Sequence, residues 1–116
     1  SVADFCRKQI MEAGNYIYVF LDESKLSAVP SYGRGSHIHD SLLYGYDADR
    51  NGFFSIAQVD YYKQEVFYSA EELEEAYRSG YSGSAERGQL LAFCWSMCSA
   101  RHDMLILLVL KIVFKD

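Results

Sequence analysis

The run from Tyr16 to Leu21 constrains the fold more than any other part of the sequence. Its six residues are β-branched, aromatic or aliphatic on both faces, a pattern typical of a strand that is buried on both sides. Such a strand needs a sheet and a core around it, and a length of 116 residues allows one domain with one core. We therefore expect a single domain over residues 1–116.

Turn and capping signals divide the rest of the chain. Phe53 to Ala57 and Glu65 to Tyr68 look like strands of an antiparallel meander, and Ser69 opens a capping box for a helix that ends at about Gly80. Helical spacing of apolar residues predicts two more helices, one within residues 1–14 and one through Leu90, Cys94, Met97 and Cys98. The sequence thus predicts an α+β fold with a mostly antiparallel sheet and three flanking helices.

Charge and composition exclude several classes of partner. The chain has 11 Lys and Arg against 16 Asp and Glu, a net charge of −5, so a nucleic-acid or anionic-membrane surface is not expected. The longest apolar stretch, Met104 to Leu110, is much shorter than the roughly 20 residues that cross a bilayer. Three cysteines give no disulfide framework, which favours a reducing, cytoplasmic compartment.

Histidines and cysteines provide two candidate chemistries. His37 and His39 would share a face of a strand, but a metal site needs further ligands and the remaining histidine, His102, lies far along the chain, so no metal is expected there. Cys94 and Cys98 fall in an apolar stripe and are expected to be buried and reduced. Cys6, within the first amphipathic helix, is the remaining candidate for a nucleophile.

An alternative cofactor is calcium. The segment that begins at Asp47 matches the first nine positions of an EF-hand loop, with Gly52 at position six and Gln58 in place of the glutamate at position twelve. Its candidate ligands are Asp47, Asp49, Asn51, Phe53 and Ser55. A hairpin turn explains the same residues, because turns also use Asp, Asn and Gly.

The segment from His39 to Asp47, His-Asp-Ser-Leu-Leu-Tyr-Gly-Tyr-Asp, carries a resemblance to a known family. Together with Phe54-Ser55-Ile56-Ala57 after the turn, it resembles the papain-like bacterial proteins grouped with butirosin biosynthesis protein H and, more distantly, the double-glycine leader peptidases. The similarity covers roughly residues 3 to 80. It implies that residues 37–47 form a strand, in agreement with Gly45, which would cost a helix interior about 1 kcal/mol relative to Ala.

The resemblance also assigns site residues. His39 takes the position of the general base that deprotonates a thiol, and Gln58 stands where the family has the Asp or Asn that orients the histidine, with Asp60 as a possible substitute. The family's nucleophile lies on a helix well upstream of the strand that Tyr16 to Leu21 represents. Cys6 therefore does not match that helix, and the chain corresponds to the carboxyl-terminal half of a papain-like fold or to a shortened relative.

Three functions follow as expectations. The first is a papain-like domain related to cysteine-dependent acyl transfer or amide cleavage that lacks its nucleophile within this chain, with a peptide or acyl-carrier-type substrate. The second is a non-catalytic domain that binds a peptide or assembles with a partner, and the third is the EF-hand-like module. A truncated sheet exposes edges that proteins usually cover, so we expect a homodimer or association with a missing half.

Overall fold

The computed structural model describes residues 1–83 and 93–96 and places them in an α+β fold. The strands are β1 (Asn15–Asp22), β2 (Ile38–Asp47), β3 (Gly52–Val59), β4 (Tyr62–Ser69) and the short β5 (Phe93–Ser96). They form one sheet in the order β4-β3-β2-β1-β5, and each neighbouring pair is antiparallel. The helices described are α1 (Val2–Met11) and α2 (Ala70–Gly83).

The core lies between one face of the sheet and the two helices. Ile17, Val19 and Leu21 of β1 are fully buried and belong to one cluster with the inward residues of the helices. The helices contribute Ala3, Cys6 and Ile10 from α1, and Leu73 and Ala76 from α2. The expected strand is present and paired at both edges, with β2 and β5, and its face with Tyr18 and Phe20 is only partly buried.

Serine side chains begin both helices, as the sequence predicts. Ser1 Oγ accepts a hydrogen bond from the backbone N–H of Asp4 at 3.2 Å, and Ser69 Oγ accepts one from the N–H of Glu72 at 3.1 Å. The expected stop at Gly80 is wrong, since α2 continues to Gly83. Glycine in a helix interior costs only about 1 kcal/mol, which packing of the preceding turns on β1 offsets.

The strand that the resemblance implies over residues 37–47 is present. Residues 38–47 form β2, and Gly45 lies at a bulge where the register with β3 shifts, between Leu43 and Gly45. A tight turn then leads into β3, with Asn51 at a φ of 49°. A two-residue turn, Asp60-Tyr61, joins β3 to β4, and Asp60 has a φ of 56°.

The helix expected through Leu90 to Cys98 is wrong in its centre. Residues 93–96 form β5, which pairs with β1 in a register that sets Trp95 opposite Tyr16. The rest of that expected helix, including Leu90, Met97 and Cys98, lies outside the described residues. So does Leu105 to Phe114, whose apolar run predicts a buried strand at the end of the sequence. No helix among the residues described is both long and apolar enough to cross a bilayer.

A loop between β1 and β2 is fixed to the core at both ends. It begins with a 3₁₀ turn, Glu23–Lys25, and buries Leu26 and Val29. The backbone N–H of Glu23 donates to the carbonyl of His37 at 2.8 Å, which extends the β1–β2 pairing by one step. The loop thereby forms one wall of the cleft described next.

Candidate functional site

A cleft of about 260 Å³ lies where β1, β2 and β3 meet the loop between β1 and β2. It brings together three residues singled out by the sequence: His39 on β2, Gln58 near the end of β3 and Asp60 in the following turn. The other lining residues are Glu23, Pro30, Ser31 and His37. The papain-like resemblance implies a groove between the sheet and the amino-terminal helix beside His39, but the wall of this cleft is the loop between β1 and β2.

The carboxylate of Asp40 fixes the imidazole of His39. Nδ1 of His39 lies 2.8 Å from Oδ1 of Asp40 and 2.9 Å from the Asp40 carbonyl oxygen. This hydrogen bond, partly opposed by burial and assisted by the charge of Glu23, raises the pKa of His39 to about 9. At neutral pH the ring is therefore an imidazolium, and Nε2 is the nitrogen through which it can act on a bound group.

The residue that hydrogen-bonds to the ring of His39 is Asp40, and not Gln58 or Asp60, for which the resemblance implies the orienting role. Gln58 instead donates from Nε2 to the carbonyl of Asp60 at 3.2 Å, an interaction that secures the β3–β4 turn. Both residues line the cleft, but neither contributes to the shifted pKa of His39. Neighbouring strand residues usually point to opposite faces, so sequence reasoning looked to the next strand and missed the adjacent Asp40.

Glu23 is a functional candidate that sequence reasoning missed altogether. Its side chain is nearly buried, with the residue only 7% exposed, and Oε1 lies 3.6 Å from Nε2 of His37. The rings of His37 and His39 lie 5.9 Å apart. Burial raises the pKa of Glu23, and the two histidines lower it in part. The available signal was its position directly after the buried strand.

Strand register explains why Glu23 reaches both histidines. Leu21 is opposite His39, and the backbone bond from Glu23 to His37 makes these two the next opposed pair on the same face. Glu23 is therefore the diagonal neighbour of His39, at a spacing that a long side chain spans. His37 lies before the start of β2 and is the more exposed of the two imidazoles, as predicted.

Asp22 holds the frame of the cleft. It is 1% exposed, and its Oδ1 accepts hydrogen bonds from the N–H of Ser24 at 3.1 Å, the hydroxyl of Ser24 at 2.7 Å and the N–H of His37 at 3.0 Å. Its Oδ2 accepts from the hydroxyl of Ser79 on α2 at 2.6 Å. Burial would raise the pKa of Asp22, but these donors outweigh it and hold the pKa well below its usual range.

Cys6 does not belong to the cleft. It is fully buried on α1, within the cluster that packs the helices on the sheet. It lines none of the cleft beside His39.

The calcium alternative has a different structural explanation. An EF-hand loop joins two helices, whereas Asp47 to Gly52 joins β2 to β3. The Asp47 carboxylate accepts hydrogen bonds from Arg50 Nε at 2.9 Å and from the N–H of Asp49 at 3.0 Å, while Ser55 donates to the carbonyl of Leu42 inside the core. Asn51 accepts from the hydroxyl of Tyr46, and Phe53 is buried.

No set of metal-ligating side chains is clustered in the part of the chain that the structure describes. Within residues 1–83, no group of three His, Cys, Asp or Glu side chains is placed to hold a metal ion.

A scan against protein-family models and searches of curated proteins and of solved structures found no match.

Proposed function

We propose that this chain carries the histidine half of a papain-like, cysteine-dependent site for acyl transfer or amide cleavage. The observation that carries the proposal is the His39–Asp40 pair at a cleft, with Nδ1 and Oδ1 2.8 Å apart. An imidazolium fixed by a carboxylate suits a cysteine nucleophile, because its positive charge stabilises the thiolate.

The charge state of His39 suits a thiolate partner. A raised pKa keeps the ring protonated at neutral pH, and a cation beside a thiol lowers the pKa of that thiol. The buried Glu23 and the half-buried Asp40 are the carboxylates that support this cation. In this proposal the peptide or acyl-carrier-type substrate lies in the cleft, and the nucleophile is a thiol other than Cys6.

The experiment supplies a thiol to the cleft. Ser31 lines the cleft with His39, so Ser31→Cys places a thiol on the opposite wall. We expect iodoacetamide to modify it with an apparent pKa at least one unit below the ordinary value of about 8.5. Mass spectrometry of the peptide that contains residue 31 separates this reaction from those of the native cysteines.

Two matched variants decide the result. Ser27→Cys lies in the same loop, is exposed and is outside the cleft lining, so it should titrate in the ordinary range. His39→Gln in the Ser31→Cys background should return the thiol to that range. If Ser31→Cys and Ser27→Cys titrate alike, or if His39→Gln changes nothing, the cleft does not activate thiols and the non-catalytic binding function is favoured.

A further inference from the structure

The outer edge of β4 has the composition of a self-pairing surface. Among the residues described, β4 pairs with β3 on one side only. Its first four residues, Tyr62 to Glu65, are exposed, and Tyr62 retains 71% of its accessible surface. An edge strand with an exposed aromatic residue is a template for pairing with another strand.

The hairpin determines which backbone groups face outward. Val59 and Tyr62 flank the two-residue turn, and the residues that flank such a turn form a hydrogen-bonded pair. Because these pairs alternate with non-hydrogen-bonded ones, Tyr62, Gln64 and Val66 direct their N–H and C=O groups toward β3. Lys63 and Glu65, which alternate with these residues along the strand, direct their N–H and C=O groups away from β3.

The sequence of this edge is complementary to itself. When two copies of β4 pair antiparallel with Gln64 opposite Gln64, Lys63 comes opposite Glu65 of the partner subunit. Tyr62 then comes opposite Val66 of the partner subunit. The alternation of strand side chains puts the charged pairs on one face and the apolar pairs on the other. Opposed charges and aromatic–β-branched pairs each stabilise an antiparallel ladder.

The same register satisfies the backbone. Lys63 and Glu65 are the residues whose N–H and C=O groups point outward, so they form the hydrogen-bonded pairs across the twofold axis. Gln64 then occupies the non-hydrogen-bonded position on the axis itself. A lone lysine on an edge opposes pairing. In a second copy, Glu65 offsets the charge of Lys63 while its carboxylate also accepts a hydrogen bond from the hydroxyl of Tyr44 in its own chain.

We propose that β4 pairs antiparallel with β4 of a second copy about a twofold axis at Gln64, which joins the two sheets through an isologous interface. The pairing lies beside the Asp60-Tyr61 turn, so a wall of the cleft sits next to the interface. The proposal is independent of the chemistry of the cleft.

Charge reversal in the full chain tests the register. We expect sedimentation velocity to show a concentration-dependent dimer. Lys63→Glu and Glu65→Lys each bring like charges together twice across the axis, and each should weaken dimerisation about tenfold or more. The double variant Lys63→Glu/Glu65→Lys restores opposite charges and should recover the dimer. Arg34→Glu, at an exposed loop residue, makes the same change in net charge as Lys63→Glu and should leave dimerisation unchanged.

Amide hydrogen exchange provides a second measurement. The N–H groups of Lys63 and Glu65 should be protected at high protein concentration and exchange faster on dilution, whereas that of Gln64, bonded to β3, should not depend on concentration. A parent chain that stays monomeric, a dimer indifferent to both single reversals, or a double variant as weak as the singles would overturn the proposal.

Discussion

His39 owes its positive charge to two carboxylates that act in different ways. Asp40 hydrogen-bonds to Nδ1, while Glu23 acts through space from the neighbouring segment. The titratable groups near Glu23 come from three strands: Asp22 from β1, His37, His39 and Asp40 at β2, and Tyr68 from β4. The cleft therefore brings the charge of His39 close to the carboxylates of Glu23 and Asp40.

We predict that Asp40→Asn lowers the pKa of His39 more than Glu23→Gln does. The hydrogen bond from Asp40 is the main cause of the raised pKa of about 9, and the charge of Glu23 is a smaller one. Both variants should move the pKa toward 6.5, the ordinary value. NMR titration of the imidazole resonances measures this directly, and a protein that is only destabilised would not show that order.

Asp60→Asn is the control for this titration. Asp60 lines the same cleft but does not contribute to the shifted pKa of His39, so the variant should titrate as the parent does. If Asp60→Asn lowers the pKa as much as Asp40→Asn, the orienting role returns to the residue that the sequence suggested. Equal effects of Asp40→Asn and Glu23→Gln would contradict the hydrogen-bonded geometry.

Sequence reasoning located half of this site. It placed His39 on a strand and Gln58 and Asp60 near it, because strand alternation and turn residues can be identified locally. It did not find Asp40 or Glu23. The contact of Asp40 depends on a side-chain conformation that brings its carboxylate to the ring of the preceding residue. The contact of Glu23 depends on the register between β1 and β2, and a single sequence specifies neither.

At the scale of elements, the β2–β3 and β3–β4 hairpins depend on the close packing of Gly52 against Phe67 and Tyr68 of β4. A Cβ at Gly52 would lie 2.6 Å from Cε2 of Phe67 and 2.6 Å from the carbonyl oxygen of Tyr68. The ring of Phe67 has little room to move, because Arg50 stacks on it with 4.0 Å to the centroid and Phe54 packs edge-on at 5.5 Å. Glycine at this position is a packing requirement.

We predict that Gly52→Ala lowers the free energy of unfolding by about 1–3 kcal/mol, the usual cost of forcing atoms into a packed site. Urea denaturation measures it. Gly45→Ala is the matched control on the partner strand, where the new Cβ would meet Cδ2 of Phe54 at 3.1 Å, so its cost should be smaller. A larger loss for Gly45→Ala than for Gly52→Ala would show that the β2–β3 bulge, and not the Phe67 contact, limits this hairpin.

The elements that the sequence predicted best are those with a strong local pattern. Strands β1 and β3 and the starts of both helices fall where apolar runs and serine caps placed them. Strand β2 falls where the resemblance placed it, and β4 begins at Tyr62, three residues before the expected start at Glu65. Phe93 to Ser96 were expected to be helical, because Cys94 lies at helical spacing from Leu90 and Cys98. They form a strand that pairs with the edge of β1, which is distant in sequence. Tertiary pairing overrides a local pattern in such a case.

At the scale of the whole molecule, three titrating groups at the cleft contribute to the dependence of stability on pH. The pKa of Asp22 is lowered on folding, so its stabilising contribution is present above the ordinary value of 3.8 and is lost as the pH falls below it. The pKa of His39 is raised to about 9, so its contribution is complete below 6.5 and is lost as the pH rises through 9. Burial of Glu23 raises its pKa, which adds a cost above 4.5.

We therefore predict that the free energy of unfolding falls as the pH drops below about 3.8 and falls as it rises from 6.5 to 9, with the cost of Glu23 added above 4.5, as measured by urea denaturation at a series of pH values. Asp22→Asn should reduce stability and remove much of the acid fall, whereas His39→Asn should flatten the fall between pH 6.5 and 9. His37→Asn is the control for the second limb, because no comparable carboxylate bond fixes that more exposed ring. If the loss of stability between pH 6.5 and 9 persists in His39→Asn but disappears in His37→Asn, His37 and not His39 is its cause.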